Sequence, residues 1–172
     1  MVRQNKKSIP KKPRAIHASP VRTSSLLYSD FFIHPASDAE LPLWRSLAGQ
    51  LFPNSSIELG ADDVLLLAFA PTSSKAGAAP PPPIIGFVHL HPQPSAILLC
   101  GISVIPSWRG RGVGRALMEA AMQKAQEEWP ALPFQLEVEQ TNPAALRLYA
   151  SWGFALVKTG PTTYRLARQA SN

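Results

Sequence analysis

The stretch SWRGRGVGRAL, residues 107–117, constrains the fold of this chain more than any other. It follows an apolar segment (96–106) that is typical of a buried strand, and it leads into a predicted helix (113–128). Glycine costs about 1 kcal/mol inside a helix, so a glycine-rich helix start needs another explanation than packing. Gly112 and Gly114 have no side chains to cover the free N–H groups of the first helical turn. Those groups and the positive helix end bind anions, so the stretch predicts a di- or polyphosphate site.

Three kinds of phosphate-binding loop differ in their fixed residues. A P-loop ends in Gly-Lys-Ser/Thr, and this stretch lacks the Lys-Ser/Thr pair. The dinucleotide fingerprint is G-x-G-x-x-G, whereas the glycines here are spaced as G-x-G-x-G. The third pattern, R/Q-x-x-G-x-G/A, is matched at every fixed position by Arg109, Gly112 and Gly114. Arg111 and Arg115 add positive charge at variable positions of that pattern.

The third pattern is the hallmark of the GNAT acetyltransferases, and a second motif strengthens the resemblance. LEVEQTNPAALRLYASWGF (136–154) resembles the second motif of that family, with a strand, an Asn, a helix, a Tyr and Gly-Phe in register. The two motifs span about residues 96–154, and the predicted order of elements extends the match across 23–168. The resemblance implies an acetyl-CoA-dependent N-acetyltransferase in which a primary amine attacks the thioester directly. This chemistry uses acetyl-CoA as co-substrate and needs no metal.

Hydrophobic periodicity and turn residues predict an α/β domain over residues 23–172, in the order β-α-β-β-β-α-β-α-β-β. Ser37 and Glu40 fit a capping box at the start of the first helix. The resemblance implies a single-domain GNAT-like fold with a mixed, mostly antiparallel central sheet flanked by helices. In that fold the fourth and fifth strands, here 96–106 and 134–140, splay apart.

The same resemblance assigns residues to the donor. The backbone of Ile102, Ser103 and Val104 would bond the pantetheine amides, and Asn142 would lie near the pantetheine at the start of the last helix. The pyrophosphate would be wrapped by a run of loop residues, which are Arg109, Gly110, Arg111, Gly112, Val113, Gly114 and Arg115.

Two residues are candidates for catalysis. Tyr149 matches the family's general acid, and a phenol with a pKa near 10 suits protonation of the leaving thiolate; the alternative is that Tyr149 only packs. Glu137 matches the position of a base in some family members, and Glu139 shares its strand face but is the weaker candidate. A water chain, or two glutamates that are merely solvated, remain open alternatives. If the glutamates line the acceptor groove, they favour a cationic acceptor.

Three further residues have chemistry of their own but are interpreted as structural. His89 and His91 share a strand face and could pair on a metal, but nothing nearby supplies a third ligand, so we expect ordinary strand histidines and no metal site. Cys100 has no flanking base and lies in an apolar strand, which is typical of a buried, inert cysteine.

The positive charge is concentrated at the N-terminus. The chain has 17 basic and 11 acidic residues, and residues 1–14 hold six of the basic ones and no acid, so the remainder is neutral. We expect residues 1–22 to form a basic, disordered tail and residues 71–83 a Pro-rich loop inside the domain. A neutral domain argues against nucleic-acid binding through the folded part, and no apolar stretch approaches the roughly 20 residues of a membrane span.

The sequence leaves the acceptor unidentified. Small-molecule and protein amines are both candidates, and a homodimer is left open. We expect a cytoplasmic protein, with a nuclear address as the alternative that the tail leaves open. A second functional hypothesis keeps the fold without the catalysis, as a catalytically weak CoA-binding or protein-interaction module. A third, nucleic-acid binding, depends on the tail alone.

Overall fold

A computed structural model describes residues 26–27 (backbone only), 30–53, 58–71 and 81–170. Its elements are β1 (Leu26–Leu27), β2 (Phe32–Pro35), α1 (Leu41–Leu51), β3 (Val64–Phe69), β4 (Ile84–Gln93), β5 (Ala96–Val104), α2 (Val113–Glu128), β6 (Phe134–Glu139), α3 (Pro143–Ser151), β7 (Ala155–Thr159) and β8 (Thr163–Arg168). The predicted order is confirmed apart from its first strand, which is two antiparallel strands, β1 and β2, separated by a bend at Asp30.

The described strands form one mixed sheet in the order β1-β2-β3-β4-β5-β6-β8-β7. Every neighbouring pair is antiparallel except β5 with β6, which is parallel. The β5–β6 pairing consists of three residue pairs and ends at Leu99 with Leu136. Both strands continue beyond that point, β5 to Val104 and β6 to Glu139, without pairing to each other. The predicted splay between the fourth and fifth strands is therefore present between β5 and β6.

A bulge in β5 lies where the two strands part. His89 of β4 pairs with Gly101 and Leu90 pairs with Leu99, which leaves Cys100 as an extra residue opposite β4. A bulge of this kind bends its strand and turns the extra side chain away from the regular alternation. The bulge therefore directs β5 away from β6.

Helices cover the two faces of the sheet unequally. α2 and α3 pack on one face, where the predicted helix face of Val113, Ala116, Leu117, Ala120 and Ala121 is buried. On the other face, α1 buries Trp44 and Ala48 against apolar side chains of β3 and β4. We call these the α2 face and the α1 face. Polar side chains of β6 and β8 also lie on the α1 face of the sheet, in the region that helix α1 does not cover.

The capping box predicted at the start of α1 forms only in half. The Ser37 backbone N–H donates to Glu40 Oε2 at 2.7 Å, as that motif requires. The Ser37 hydroxyl, however, donates to the same oxygen at 2.8 Å instead of accepting a helical N–H. α1 consequently begins at Leu41, with a proline in its first turn.

None of the described helices is long and apolar enough to span a bilayer. Residues 1–22, assigned to the basic tail, and residues 72–80 of the Pro-rich loop lie outside the described residues. The tail, the loop and the domain limits stay predictions.

Candidate active site

The glycine-rich loop leaves the start of α2 without a side-chain cap. Gly112 is the N-cap residue, with a φ of +83°, and Gly110 has a φ of +77°, a left-handed backbone that favours glycine. The first helical hydrogen bond runs from the Ala116 N–H to the Gly112 carbonyl at 3.0 Å. The N–H groups of residues 113–115 therefore have no helical acceptor and are placed to bind an anion.

The three arginines of the loop differ in their contacts. Arg109 Nε donates to the Val104 carbonyl at 3.0 Å, which ties the loop to the end of β5. The Arg111 guanidinium lies 4.9 Å from the centre of the Trp108 ring, a cation–π contact. Arg115 is exposed on the first turn of α2. Arg109 thus shapes the loop, whereas the other two surround it with positive charge.

A cleft of about 330 Å³ opens between β5 and β6 and reaches α3. Its wall contains seven of the predicted site residues, which are Ile102, Ser103, Val104, Gly114, Glu137, Asn142 and Tyr149. Beyond Leu99, β5 pairs only with β4, so the backbone groups on its other edge have no strand partner. An extended ligand rich in amide groups can bind such an edge as an added strand does. The other predicted loop residues lie outside the wall of this cavity.

Asn142 and Tyr149 line the cleft from α3. Asn142 Oδ1 accepts the Ala145 N–H at 3.1 Å, which confirms the predicted N-cap. Tyr149 follows nearly two turns later and is therefore on the same helix side. Its ring packs edge-on against Phe154, with centroids 5.8 Å apart. Burial raises the pKa of Tyr149 to about 12, so its hydroxyl keeps its proton at neutral pH and can only donate it.

A second pocket, of about 360 Å³, adjoins the cleft. Leu99, Cys100 and Glu137 line both cavities, so the two meet where β5 and β6 part. The remaining lining residues are Gln93, Leu98, Gln135, Leu136 and Arg165. A ligand in the cleft can therefore meet a second ligand in this pocket.

Glu137, the candidate base, is paired with Arg165. Arg165 Nη2 donates to Glu137 Oε1 at 2.7 Å, and Nε donates to the same oxygen at 3.2 Å. The side chains are 47% and 55% exposed for the arginine and the glutamate, respectively. Arg165 alternates with Tyr164 and Leu166 along its strand, so the sequence alone places its side chain away from the core. The sequence does not reveal which residue of the neighbouring strand lies opposite Arg165.

The prediction that Cys100 is buried is wrong. The β5 bulge turns this residue outward, and it is exposed in the wall of both cavities. Partial burial of the thiol and the negative charge of Asp63 raise the pKa of Cys100. The thiol donates to the Leu98 carbonyl oxygen at 3.9 Å, and a raised pKa lowers the thiolate fraction, which agrees with an inert thiol.

His89 and His91 share a partner that sequence analysis missed. Because a carboxylate only accepts, His89 Nε2 donates to Asp63 Oδ2 at 2.5 Å and His91 Nδ1 donates to Oδ1 at 2.6 Å. Within the described part of the chain, no group of three or more His, Cys, Asp and Glu side chains could hold a metal ion. Asp63 lies 26 residues before His89, and no pattern in the sequence connects the two.

Residues 29–154 match the model of a family described as the acetyltransferase (GNAT) family. The chain is 34% identical over 76 residues to an N-alpha-acetyltransferase of Sulfurisphaera tokodaii, over 42% of this chain and 46% of that protein. It is 42% identical over 59 residues to a mycothiol acetyltransferase of Nocardiopsis dassonvillei, over 34% of this chain and 17% of that protein. The match thus spans less than half the length of either relative.

The fold is similar to that of Arabidopsis thaliana NAA60 in complex with acetyl-CoA. The TM-score is 0.64 at 19% sequence identity, and the alignment covers 81% of this chain and 98% of that one. At this identity the likeness shows a shared fold.

Proposed function

The chain belongs to the GNAT acetyltransferase family, and on that premise we propose that it transfers the acetyl group of acetyl-CoA to an amine. One observation carries the proposal: the cleft between β5 and β6 opens beside a helix start whose N–H groups no side chain caps. The relatives' names describe N-alpha-acetylation and mycothiol acetylation, which are both transfers of an acetyl group.

The donor side uses residues that the cleft and the loop bring together. The free N–H groups of 113–115 would bind the pyrophosphate, with positive charge from Arg111 and Arg115 around it. The backbone of 102–104 would hold the pantetheine amides along the unpaired edge of β5. Asn142 would contact the same arm through its amide N–H₂, since its carbonyl oxygen is committed to the helix cap.

The chemistry requires a carbon–nitrogen bond to form, a carbon–sulfur bond to break, two protons to leave the ammonium group and one proton to reach the sulfur. Acetyl-CoA supplies the acetyl group as a thioester. The amine nitrogen bonds to the carbonyl carbon, a backbone N–H of β5 stabilises the oxyanion, and the carbon–sulfur bond then breaks. Tyr149 gives its proton to the departing sulfur and regains one from solvent. The attacking amine loses its protons to Glu137 or, through water, to solvent.

Acetyl-CoA binding tests the donor half of the proposal. At one hundred times its Kd, a ligand stabilises the folded protein by about 2.7 kcal/mol. For a chain of this size we expect the Tm to rise by roughly 5 to 10 °C. Adenosine diphosphate, which has a pyrophosphate but no pantetheine arm, is the matched control and should produce a smaller rise. An unchanged Tm at millimolar acetyl-CoA would exclude the donor site.

Transfer tests the enzymatic half. A panel of amines, analysed for acetylated product by mass spectrometry, should contain at least one acceptor. Product mass is preferable to a thiol reagent, because it identifies the acetylated amine directly. Tight acetyl-CoA binding with no acetylation of any amine would favour the alternative, a CoA-binding module with the same fold.

A further inference from the structure

We propose that Arg165 selects the acceptor, and that the amine this protein acetylates has a carboxylate close to its amino group. The proposal deepens the transferase function above and rests on it. It concerns the second pocket, which meets the donor cleft at Leu99, Cys100 and Glu137.

Two charged side chains line this pocket, Glu137 and Arg165, and they belong to a row of charged residues across three neighbouring strands. Glu137 of β6 pairs in register with Arg165 of β8, and Arg165 pairs with Lys158 of β7. Residues directly opposite in antiparallel strands point to the same face of the sheet. Glu137 and Arg165 therefore lie on the same side of the sheet, and Lys158 follows them in the row outside the pocket lining.

This row changes the expectation that glutamates favour a purely cationic acceptor. Glu137 is neutralised by Arg165 at 2.7 Å, so a lone ammonium group entering the pocket also meets a guanidinium. The other polar lining residues, Gln93 and Gln135, have no charge. A molecule with both an ammonium and a carboxylate matches the pocket, because the ammonium can contact Glu137 while the carboxylate contacts Arg165.

Arg165 has hydrogen-bonding capacity left for such a carboxylate. A guanidinium has five N–H donors, and the bonds to Glu137 use one on Nε and one on Nη2. Three N–H groups remain, in a planar fork that suits carboxylate oxygens. Because both side chains are about half exposed, rearranging their ion pair costs little. The pocket volume of about 360 Å³ suits an amino acid or the first residue of a peptide.

Matched acceptors test the proposal and separate the two sources of such a carboxylate. Each free amino acid is compared with its own carboxamide. C-terminally amidated peptides that begin with Asp or Glu are compared with peptides that begin with Asn or Gln. The member with the carboxylate should have a kcat/KM about 10-fold higher or more in at least one set, as one charge-assisted contact provides. The set that shows the preference identifies the source.

Variants assign the preference to Arg165. Arg165→Gln should reduce the preference to about one, mainly by raising the KM of the carboxylate substrate, while Arg165→Lys keeps part of it. Arg147→Gln, on the exposed side of α3, is the charge-matched control and should leave the preference unchanged. Acetyl-CoA affinity, measured separately, should be the same in all three variants.

Four results would overturn the proposal while leaving acetyl-CoA binding intact. They are equal use of both members of every pair, a preference for the uncharged member, a preference that persists in Arg165→Gln, and no turnover of any member. Loss of acetyl-CoA binding in the wild-type protein would instead refute the transferase function itself.

Discussion

Replacing Asp63 by asparagine removes a buried charge while nearly preserving the shape of the side chain. In the structure the carboxylate accepts N–H groups from His89 at 2.5 Å and His91 at 2.6 Å, and its side chain is 3% exposed. An asparagine has one acceptor oxygen and one donor group, so one of the two imidazole N–H groups would face another donor. The other nitrogen of the His89 ring, Nδ1, is buried and has no hydrogen-bond partner among the described residues.

The expected loss follows from the burial of the two imidazoles. The His89 side chain is 3% exposed, so water cannot replace its partner, whereas the His91 side chain is 43% exposed and can be solvated. A hydrogen bond to a charged group contributes about 1.5 to 3 kcal/mol, and we count one such bond. For a chain of this size the Tm should fall by about 3 to 12 °C.

The pH dependence has a definite sign. Burial raises the pKa of Asp63, but hydrogen bonds from two imidazoles and the Gly60 N–H outweigh it and hold the pKa below its ordinary value of 3.8. A carboxyl with a lower pKa in the folded state stabilises the fold fully above its unfolded pKa, and this stabilisation is lost as the pH falls through its folded pKa. The wild-type protein therefore loses this contribution below about pH 3.8, and Asp63→Asn has none to lose.

Urea unfolding at pH 7.5, followed by tryptophan fluorescence, measures the difference. Asp62→Asn is the matched control, since Asp62 is the exposed neighbour and its change should stay within about 0.5 kcal/mol. A loss below about 0.5 kcal/mol for Asp63→Asn, or an equal loss for Asp62→Asn, would contradict the assignment of Asp63 as the buried partner of His89.

Four further predictions concern the cleft, the glycine-rich loop beside it and the strand pairing of β4 with β5. Tyr149→Phe should lower kcat by about 100-fold with acetyl-CoA affinity unchanged in calorimetry, and full turnover would remove Tyr149 from the acid role. Because burial raises the pKa of Tyr149 to about 12, a pH profile should show no loss of kcat between about pH 8 and 10 from its ionisation. Gly112→Ala puts a side chain at a φ of +83° and should cost about 1 to 2 kcal/mol in urea unfolding; Gly114→Ala, whose Cβ has ordinary contacts, is the control and should retain stability. Gly86→Ala would bring its Cβ to 2.8 Å from the Ser103 carbonyl oxygen, so it should destabilise the protein by about 1 to 3 kcal/mol and weaken acetyl-CoA binding in calorimetry.

Local signals account for the elements that were predicted closely. α2 runs from Val113 to Glu128 as predicted, because its buried face repeats at helical spacing and its start follows a glycine loop. Asn142 caps α3 through the Ala145 N–H, and the helix ends before Gly153, whose φ is +78°. Each signal lies within a few residues of the feature it predicts, so no knowledge of the tertiary structure is needed.

Features that depend on strand pairing were not predictable in the same way. The exposure of Cys100 results from a bulge, and a bulge exists only once His89 has paired with Gly101 and Leu90 with Leu99. The half-formed capping box before α1 is a similar case, since the Ser37 hydroxyl can either accept or donate. In both cases the sequence allows two local arrangements; strand pairing selects between them at Cys100, whereas at the exposed Ser37 nothing in the sequence distinguishes them.

The same distinction explains why the sequence indicates the donor and leaves the acceptor open. The cleft proposed to bind the donor is built mainly from two continuous segments, 99–114 and 137–149, so its residues lie in recognisable motifs. The second pocket takes residues from β4, β5, β6 and β8, and its charged pair, Glu137 with Arg165, is separated by 28 residues. A count of glutamates on β6 favours a cation, but register places a guanidinium against one of them. The acceptor's chemistry therefore depends on the alignment of β8 with β6, which is why we expect Arg165 to control it.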